Sequence, residues 1–205
     1  MVFVILLALS PTRGLWAEGK EVSAGQNDTL LMFVGEDLEV LSIASRRQQS
    51  AWQAPAVAHV ITRNEIRERG IQTLSQALEM EPGFYMAQKE WGTKPYLRGV
   101  SDSVLFLYDT IPTGSDISKA IHPLDNELSL APIKRIEILR GPGSVLWGAD
   151  AFAGIVNLVP MTGKDLEGAQ TGVRYGSPGN QRAFYVNAGH DAGPWDAFLS
   201  VSGRE

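Results

Sequence analysis

Few side chains in this sequence are placed to do chemistry. The three histidines, His59, His122 and His190, lie far apart, and none stands at metal-ligand spacing from another His or from a carboxylate pair. Cysteine is absent, which excludes a disulfide, a thiolate metal site and a Cys nucleophile. We therefore expect neither a metal site nor a cofactor.

One glycine-rich segment has part of the pattern of a phosphate-binding loop. Gly143 and Gly148 have the right spacing, but Ala149 and Asp150 stand where Lys and Ser or Thr are required. Without that Lys, and with a carboxylate that repels phosphate, the segment is not expected to bind a nucleotide. No nucleophile elbow and no pair of catalytic carboxylates stands out in the sequence, so it does not indicate an enzyme.

Composition indicates a folded protein and argues against a nucleic-acid partner. Of the 205 residues, 44% are hydrophobic and 20% are charged, which is typical of globular chains. The 18 Lys and Arg are outnumbered by 23 Asp and Glu, which gives a net charge of −5. A chain without a basic surplus has little with which to neutralise phosphates.

The first 17 residues have features of a secretory signal peptide. Residues 2–9 are an unbroken apolar run, too short for the roughly 20 residues that a membrane-spanning helix needs. Pro11 and a small residue, Ala17, follow, although no basic residue precedes the run. We expect cleavage after Ala17 and export from the cytoplasm; the alternative is a buried N-terminal strand.

Residues 18–50 carry scattered polar residues without a sustained period, which predicts a flexible segment. Within it lies a short β-prone stretch. This stretch is either an ordinary edge strand of the next domain or a peptide that adds itself to the sheet edge of another protein. It consists of Leu38, Glu39, Val40, Leu41, Ser42 and Ile43.

Residues 51–160 have the pattern of a small mixed α/β domain. Capping boxes that begin at Thr62 and Thr73 predict two short helices, which stop at Gly70 and Pro82. Apolar or alternating runs around them predict strands. The strands are expected at residues 57–61, 96–100, 104–108, 133–140 and 154–159, with a third short helix at 125–130.

After Pro160, apolar and polar residues alternate in three segments separated by turns rich in Gly, Pro, Asn and Asp. The period of two predicts strands with one apolar face. They fit either the first staves of a membrane barrel or an antiparallel meander on a soluble domain. The alternating segments lie at residues 170–175, 184–189 and 195–202.

The run at residues 133–159, IKRIEILRGPGSVLWGADAFAGIVNLV, resembles the plug domain of TonB-dependent outer-membrane receptors. Three motifs of that domain occur in order: IEILRGP, SVLWG and, after Ala151, GIVN. Upstream, L-x-x-A-L-x-x-x-P-G at 74–83 and L-R-G at 97–99 are similar to further family motifs, while Thr110 replaces a Gly that the family usually has in a turn. The motif residues are Arg98, Gly99, Arg140, Gly141, Pro142, Gly148, Gly154 and Asn157.

The resemblance implies an α+β fold: a small mixed-sheet plug domain, then the start of an antiparallel transmembrane β-barrel that is incomplete in this chain. The family's plug sits inside a 22-stranded barrel, which needs roughly 22 × 10 residues. We therefore expect residues 161–205 to be the first barrel strands, and the chain to be a fragment or a truncated product. The implied location is the outer membrane of a Gram-negative cell, with the plug facing the periplasm and the barrel lumen.

The resemblance also implies a function, the gating of energy-dependent uptake of a scarce nutrient such as an iron-siderophore, haem or cobalamin. The implied partners are TonB, a small metal chelate or similar ligand, and outer-membrane lipid through the barrel, with no nucleic acid. It favours pairing of residues 38–43 with TonB. The alternative is a soluble periplasmic binding or adaptor module built on the same domain.

Some residue roles follow from the resemblance as expectations. Arg98 and Arg140, each just before a Gly, are expected to pair with carboxylates of the plug or the barrel wall, or else to be solvated arginines at strand ends. Ligand contacts are expected in two apical loops, at residues 86–95 and 111–123. They are Gln88, Lys89 and Trp91 in the first loop and Ser115, Asp116 and His122 in the second.

Overall fold

The structure, a computed structural model, describes residues 57–90, 92–113, 128–141, 147–176 and 181–204. It also gives the backbone of three strands near the N-terminus: β1 (Val4–Pro11), β2 (Val40–Leu41) and β3 (Gln49–Ser50). Trp91, Ser115, Asp116, His122 and Pro142 lie outside the described residues, as do most of residues 18–50.

A five-stranded mixed sheet forms the centre of the domain at residues 57–160, which we call the central domain. The strand order is β4-β10-β11-β8-β9, with β10 antiparallel to both neighbours and β11 parallel to β8. This order confirms the small mixed α/β domain expected from the sequence. The strands are β4 (Val57–Thr62), β8 (Val104–Tyr108), β9 (Ile111–Thr113), β10 (Ile133–Arg140) and β11 (Gly154–Pro160).

Two short helices cover one face of this sheet, α1 (Arg63–Glu68) and α2 (Leu74–Glu79). Both predicted capping boxes are confirmed: the Glu65 backbone N–H donates to Thr62 Oγ1 at 3.3 Å, and the Thr62 N–H donates to the Glu65 carboxylate at 2.8 Å. Among the described residues, no helix is long and apolar enough to cross a membrane.

The five-stranded sheet is buried on both faces. Alternate residues of a strand point to opposite sides, so β10 supplies Ile136 and Ile138 to the helix-covered core and Leu139 to a second, smaller core. The same alternation places the polar residues Glu137 and Asn157 on the sheet face that carries the smaller core, and both are fully buried.

A separate three-stranded antiparallel sheet corrects two predictions. Its strands are β5 (Phe84–Lys89), β6 (Gly92–Leu97) and β7 (Val100–Ser101). The strand expected at 96–100 is wrong, because Arg98 and Gly99 have φ of 53° and 81° and form a turn. The prediction of a ten-residue apical loop at 86–95 is also wrong, because most of these residues pair as a hairpin.

The third helix, expected at 125–130, is absent at residues 128–130, the part of it that the structure describes. The chain instead turns there, and the Ala131 backbone N–H donates to the Ser129 hydroxyl at 3.2 Å. A serine that binds the backbone two residues ahead favours a turn over a helix.

Three antiparallel strands after the central domain form what we call the C-terminal sheet, following a short helix, α3 (Gly163–Leu166). Its side chains alternate as predicted, but the apolar face is the exposed one, which is the reverse of a sheet in a soluble protein. Val173, Tyr175 and Trp195 are exposed, whereas Asn187 and Ser200 are buried on the face toward the central domain. An apolar outer face over a polar inner face is the pattern of a membrane barrel wall. The strands are β12 (Gly168–Gly176), β13 (Gln181–Asp191) and β14 (Trp195–Arg204).

The N-terminal strands pair outside the five-stranded sheet. The backbone of β1 lies antiparallel to β14, and β2, within the β-prone stretch at 38–43, pairs with β3. Both interpretations of the first 17 residues, a signal peptide cleaved after Ala17 and a buried N-terminal strand, stay predictions.

Candidate functional site

The centre of the IEILRGP and GIVN motifs is a buried polar network. Glu137 of β10 and Asn157 of β11 are direct partners across the antiparallel ladder, and neither is exposed to solvent. The Asn157 amide donates to Glu137 Oε2 at 3.2 Å, and Arg135 donates to Glu137 Oε1 at 2.7 Å. A buried charge that has both a cationic partner and an amide donor is compensated.

The same network holds the turn in which Thr110 replaces the usual glycine. Asp109 and Thr110 have φ of 48° and 67°, a conformation that costs energy in residues other than Gly. The Thr110 backbone N–H donates to the Asn157 side-chain oxygen at 3.1 Å. Asn157 therefore ties the β8–β9 turn to Glu137, and this bond stabilises a turn that lacks its glycine.

Arg140, at the end of β10, contacts the segment that follows α2. Its guanidinium donates to the Pro82 carbonyl at 3.1 Å and lies 3.9 Å from the Glu81 carboxylate. His59 Nδ1 lies 3.0 Å from the same carboxylate, which is 4% exposed. This cluster connects the R-G-P and P-G motifs, so Arg140 has its carboxylate partner within the central domain.

The motif glycines have distinct backbone roles. A Cβ on Gly154 would lie 2.7 Å from a Leu97 methyl carbon and 2.8 Å from the Leu139 carbonyl oxygen, so only glycine lets β11 approach both. Gly148 has a φ of 89°, and the Gly141 N–H donates to the Ala153 carbonyl at 2.9 Å. These contacts shape the bend between β10 and β11.

The expected ligand residues are only partly described. Gln88 and Lys89 lie at the end of the β5–β6 hairpin, where the Gln88 amide donates to Thr93 Oγ1 at 3.1 Å. Arg98 and Gly99 are exposed in the next turn. A role for Gln88 and Lys89 in ligand contact stays a prediction, as does the pairing of Arg98 with a carboxylate of the plug or the barrel wall.

Polar contacts join the central domain to the C-terminal sheet. Arg63, at the start of α1, donates to the Ala131 and Ile133 carbonyls at 3.0 and 3.1 Å and to the Gln170 side chain of β12 at 2.6 Å. The Asn187 amide of β13 donates to the same Ala131 carbonyl at 2.9 Å. Burial lowers the pKa of Arg63, and Arg67 lowers it further.

A second contact region lies at α3, directly after β11. Lys134 forms an ion pair with Asp165, and Asp196 of β14 accepts from the Gly163 backbone N–H. Burial acts to raise the pKa of Asp165, but hydrogen bonds from Lys134 and Thr162 outweigh it and hold that pKa below its ordinary value.

Sequence reasoning missed Glu81, Glu137, Arg63 and Arg174 as contact residues. A carboxylate within an otherwise apolar strand was a signal for Glu137, since such a group needs a partner. The described residues contain no group of three or more His, Asp or Glu able to hold a metal ion. The contacts that the structure does show hold the central domain against the polar inner face of the C-terminal sheet, through Arg63, Arg174 and Asn187.

Comparison with known proteins agrees with this geometry. The family described as TonB-dependent Receptor Plug Domain matches residues 50–155, just over half of the chain. The chain is 30% identical over 149 residues to the "Vitamin B12 transporter BtuB" of Vibrio vulnificus (strain CMCP6), covering 70% of this chain and 24% of that protein. It is 30% identical over 154 residues to the "Ferric-pyoverdine M114 receptor PbuA" of Pseudomonas sp. (strain M114), covering 74% and 18%.

A solved structure shows the same fold. The pyoverdine outer membrane receptor FpvA from Pseudomonas aeruginosa PAO1 superposes with a TM-score of 0.65 at 19% identity, over 80% of this chain and 24% of that one. The chain thus spans about a quarter or less of the length of these relatives. The chain belongs to the TonB-dependent receptors, and it contains their plug domain followed by strands of the barrel wall.

Proposed function

We propose that this chain is the plug region of an outer-membrane receptor that gates TonB-dependent uptake of a scarce nutrient. The observation that carries the proposal is the reversed polarity of the C-terminal sheet, whose apolar face is exposed while its polar face binds the plug domain. A soluble module would leave Val173, at 89% exposure, and its neighbours in water. Lipid is the environment in which that face is favourable.

The nutrient is a small metal chelate. The relatives are described as a vitamin B12 transporter and a ferric-pyoverdine receptor, which supports cobalamin or an iron-siderophore, with haem as a further candidate. The ligand contacts in the first set are Gln88 and Lys89, at the tip of the β5–β6 hairpin, together with Trp91. A second set is formed by Ser115, Asp116 and His122.

TonB binds the β-prone stretch at residues 38–43, by adding it as a strand to a sheet edge. The stretch lies upstream of the plug domain, where a pull on the chain would be transmitted to β4. Ligand binding shifts this stretch toward an exposed state, and work done through TonB then moves the plug aside. The chain carries out no catalytic step, and it lies in the outer membrane with the plug in the barrel lumen.

An uptake assay tests the proposal. The complete gene is expressed in a host that lacks its own receptors for cobalamin and ferric siderophores, with and without TonB, and radiolabelled ligands are supplied. We expect uptake of one ligand class in the TonB-containing host alone. Leu41→Pro, which removes a backbone donor from the stretch, should abolish it, whereas Leu41→Val, which keeps strand propensity, should not.

Fractionation provides the control and the contrary outcome. Equal amounts of each variant in the outer membrane are required for the comparison. Uptake that is equal without TonB, or a stable product found in the soluble periplasmic fraction, would overturn the proposal in favour of the soluble binding module.

A further inference from the structure

A cleft of about 280 Å³ lies between α1 of the plug domain and the inner face of the C-terminal sheet. Its walls come from the helix and the turn after it on one side and from β12, β13 and β14 on the other. It is separate from the β5–β6 hairpin, where the ligand contacts of the proposed receptor are expected.

The lining of this cleft is strongly unbalanced in charge. Arg63, Arg67, Arg174 and Arg204 all line it, and no Asp or Glu among the described residues does. Two arginines come from the plug domain and two from the sheet, so the concentration of positive charge exists only where the two are packed together.

The hydrogen bonds of Arg63 and Arg174 go to uncharged groups and do not neutralise their charges. Arg63 donates to two backbone carbonyls and an amide oxygen, and Arg174 donates to the Gly70 carbonyl at 2.9 Å. Arg67 is exposed and its side chain has no hydrogen bond or ion pair with a described residue. Asp165, the carboxylate that acts on Arg63, is itself bonded to Lys134.

The remainder of the lining is largely apolar. Ile66, Ile71 and Leu130 are buried residues of the helix-covered core, and the ring of Tyr185, which lies over Gly172 on the inner face of the sheet, stands opposite them. A concave site with apolar walls and a few convergent charged groups is suited to a small ligand with an apolar body and a charged group of opposite sign. Guanidinium groups bind carboxylates in a planar, two-bond geometry.

We propose that this cleft binds a small organic anion, a carboxylate on a compact apolar body, between the plug domain and the C-terminal sheet. The anion is held by Arg67 and Arg174 at its charged end and lies along Ile71 and the ring of Tyr185. The site does not depend on the proposed uptake, because it is formed in the protein at rest, without TonB or an energised membrane.

The test is a binding titration with benzoate and with benzamide, its uncharged counterpart of the same shape, on the detergent-solubilised protein. Saturation-transfer NMR or calorimetry measures the affinity. We expect benzoate to bind and to weaken with added salt, and benzamide to bind at least tenfold more weakly. Arg67→Glu should weaken benzoate at least tenfold, and Arg67→Gln by a smaller factor in the same direction.

Arg69→Glu is the matched control. Arg69 lies two residues further along, pairs with Glu65 at 3.2 Å and does not line the cleft, so its reversal changes the net charge equally. Benzoate affinity should be unchanged within twofold. Equal binding of benzoate and benzamide, equal loss in Arg67→Glu and Arg69→Glu, or no benzoate binding to the unaltered protein would each overturn the proposal.

Discussion

Replacement of Asn157 by Asp tests the buried network at the centre of the plug motifs. The change keeps the size of the side chain and leaves an oxygen to accept from the Thr110 backbone N–H. It removes the amide that donates to Glu137 at 3.2 Å and puts a second carboxylate there. Two fully buried carboxylates then face each other across the β10–β11 ladder.

The magnitude follows from that distance. Two unit charges 3.2 Å apart repel by about 5 kcal/mol at an effective dielectric constant of about 20. The pair can avoid this by keeping one proton, which at pH 7 costs about 4 kcal/mol for a group whose ordinary pKa is about 3.9. Because keeping the proton costs less than the repulsion between two charges, Asn157→Asp should lower the free energy of unfolding by about 4 kcal/mol at pH 7.

The loss should depend on pH with a defined sign. The pKa of the new carboxyl is raised in the folded state, so the folded protein binds more protons than the unfolded chain above the ordinary carboxyl pKa. Stability then falls as pH rises, by about 1.4 kcal/mol per unit. The loss at pH 5 should therefore be about 3 kcal/mol smaller than at pH 7, because the protonated carboxyl can again donate to Glu137.

Urea unfolding followed by tryptophan fluorescence at pH 5, 6 and 7 measures this dependence, with the unaltered protein at each pH as reference. Asn157→Ala is the control: it removes the same hydrogen bonds, at a cost of about 1–3 kcal/mol, and adds no titrating group. A pH-independent loss in Asn157→Asp, or one no larger at pH 7 than that of Asn157→Ala, would refute the assignment of Asn157 as the donor to a buried charged Glu137.

Two further predictions concern stability. Gly154→Ala should cost about 1–3 kcal/mol, since its Cβ meets a backbone carbonyl that cannot move alone, and should exceed Gly99→Ala, where the surrounding space is open and only the positive φ opposes the change; urea unfolding of both variants decides the order. The pKa of Asp165 is lowered in the folded state, so its carboxylate stabilises the protein above the ordinary carboxyl pKa near 4. This stability is lost as pH falls through the lower folded pKa. Asp165→Asn should therefore lower the free energy of unfolding by under about 1 kcal/mol at pH 7 and leave it unchanged in acid. Lys134→Met should abolish most of that difference, as read from thermal unfolding at both ends of the pH range.

The elements predicted correctly are those that form through interactions or patterns within a few neighbouring residues. The capping boxes at Thr62 and Thr73 are closed within four residues, and the run at 104–108 is apolar throughout because both faces of β8 are covered. The alternation after Pro160 also appeared as predicted. Whether the apolar face of this sheet points outward, however, depends on what surrounds the sheet. The sequence pattern fits both a membrane barrel and a meander on a soluble domain.

The hairpin at 84–97 escaped prediction for a physical reason. In β5 only Met86 is buried, so the strand has no apolar alternation, and what holds it is pairing with β6 along the backbone. The turn at Arg98 was hidden because an arginine supplies a positive φ that local preferences assign to glycine.

The contact residues could not be predicted without knowing which distant segments of the chain pair with each other. Glu81 meets His59 and Arg140 only because β4 and β10 are neighbours in the sheet. Arg63 and Arg67 share one face of α1 at the i, i+4 spacing, a signal visible in the sequence. Arg174 joins them through the packing of two sheets, which no local pattern encodes.

The distribution of apolar burial bears on how a plug can be held and yet released. The two hydrophobic cores lie on the two faces of the five-stranded sheet, within the plug domain itself. The contacts with the C-terminal sheet include hydrogen bonds, such as those from Arg63 to Gln170 and from Asn187 to Ala131.

Such bonds contribute only about 0.5–1.5 kcal/mol each, because water can replace either partner once the surfaces separate. Separation of the plug from the wall would leave both cores intact. The buried ion pair of Glu137 with Arg135 lies inside the domain, so it would move with the plug. In the proposed gating, a domain that keeps both of its hydrophobic cores inside would leave the wall as a folded unit, at a cost of about 0.5–1.5 kcal/mol for each hydrogen bond broken.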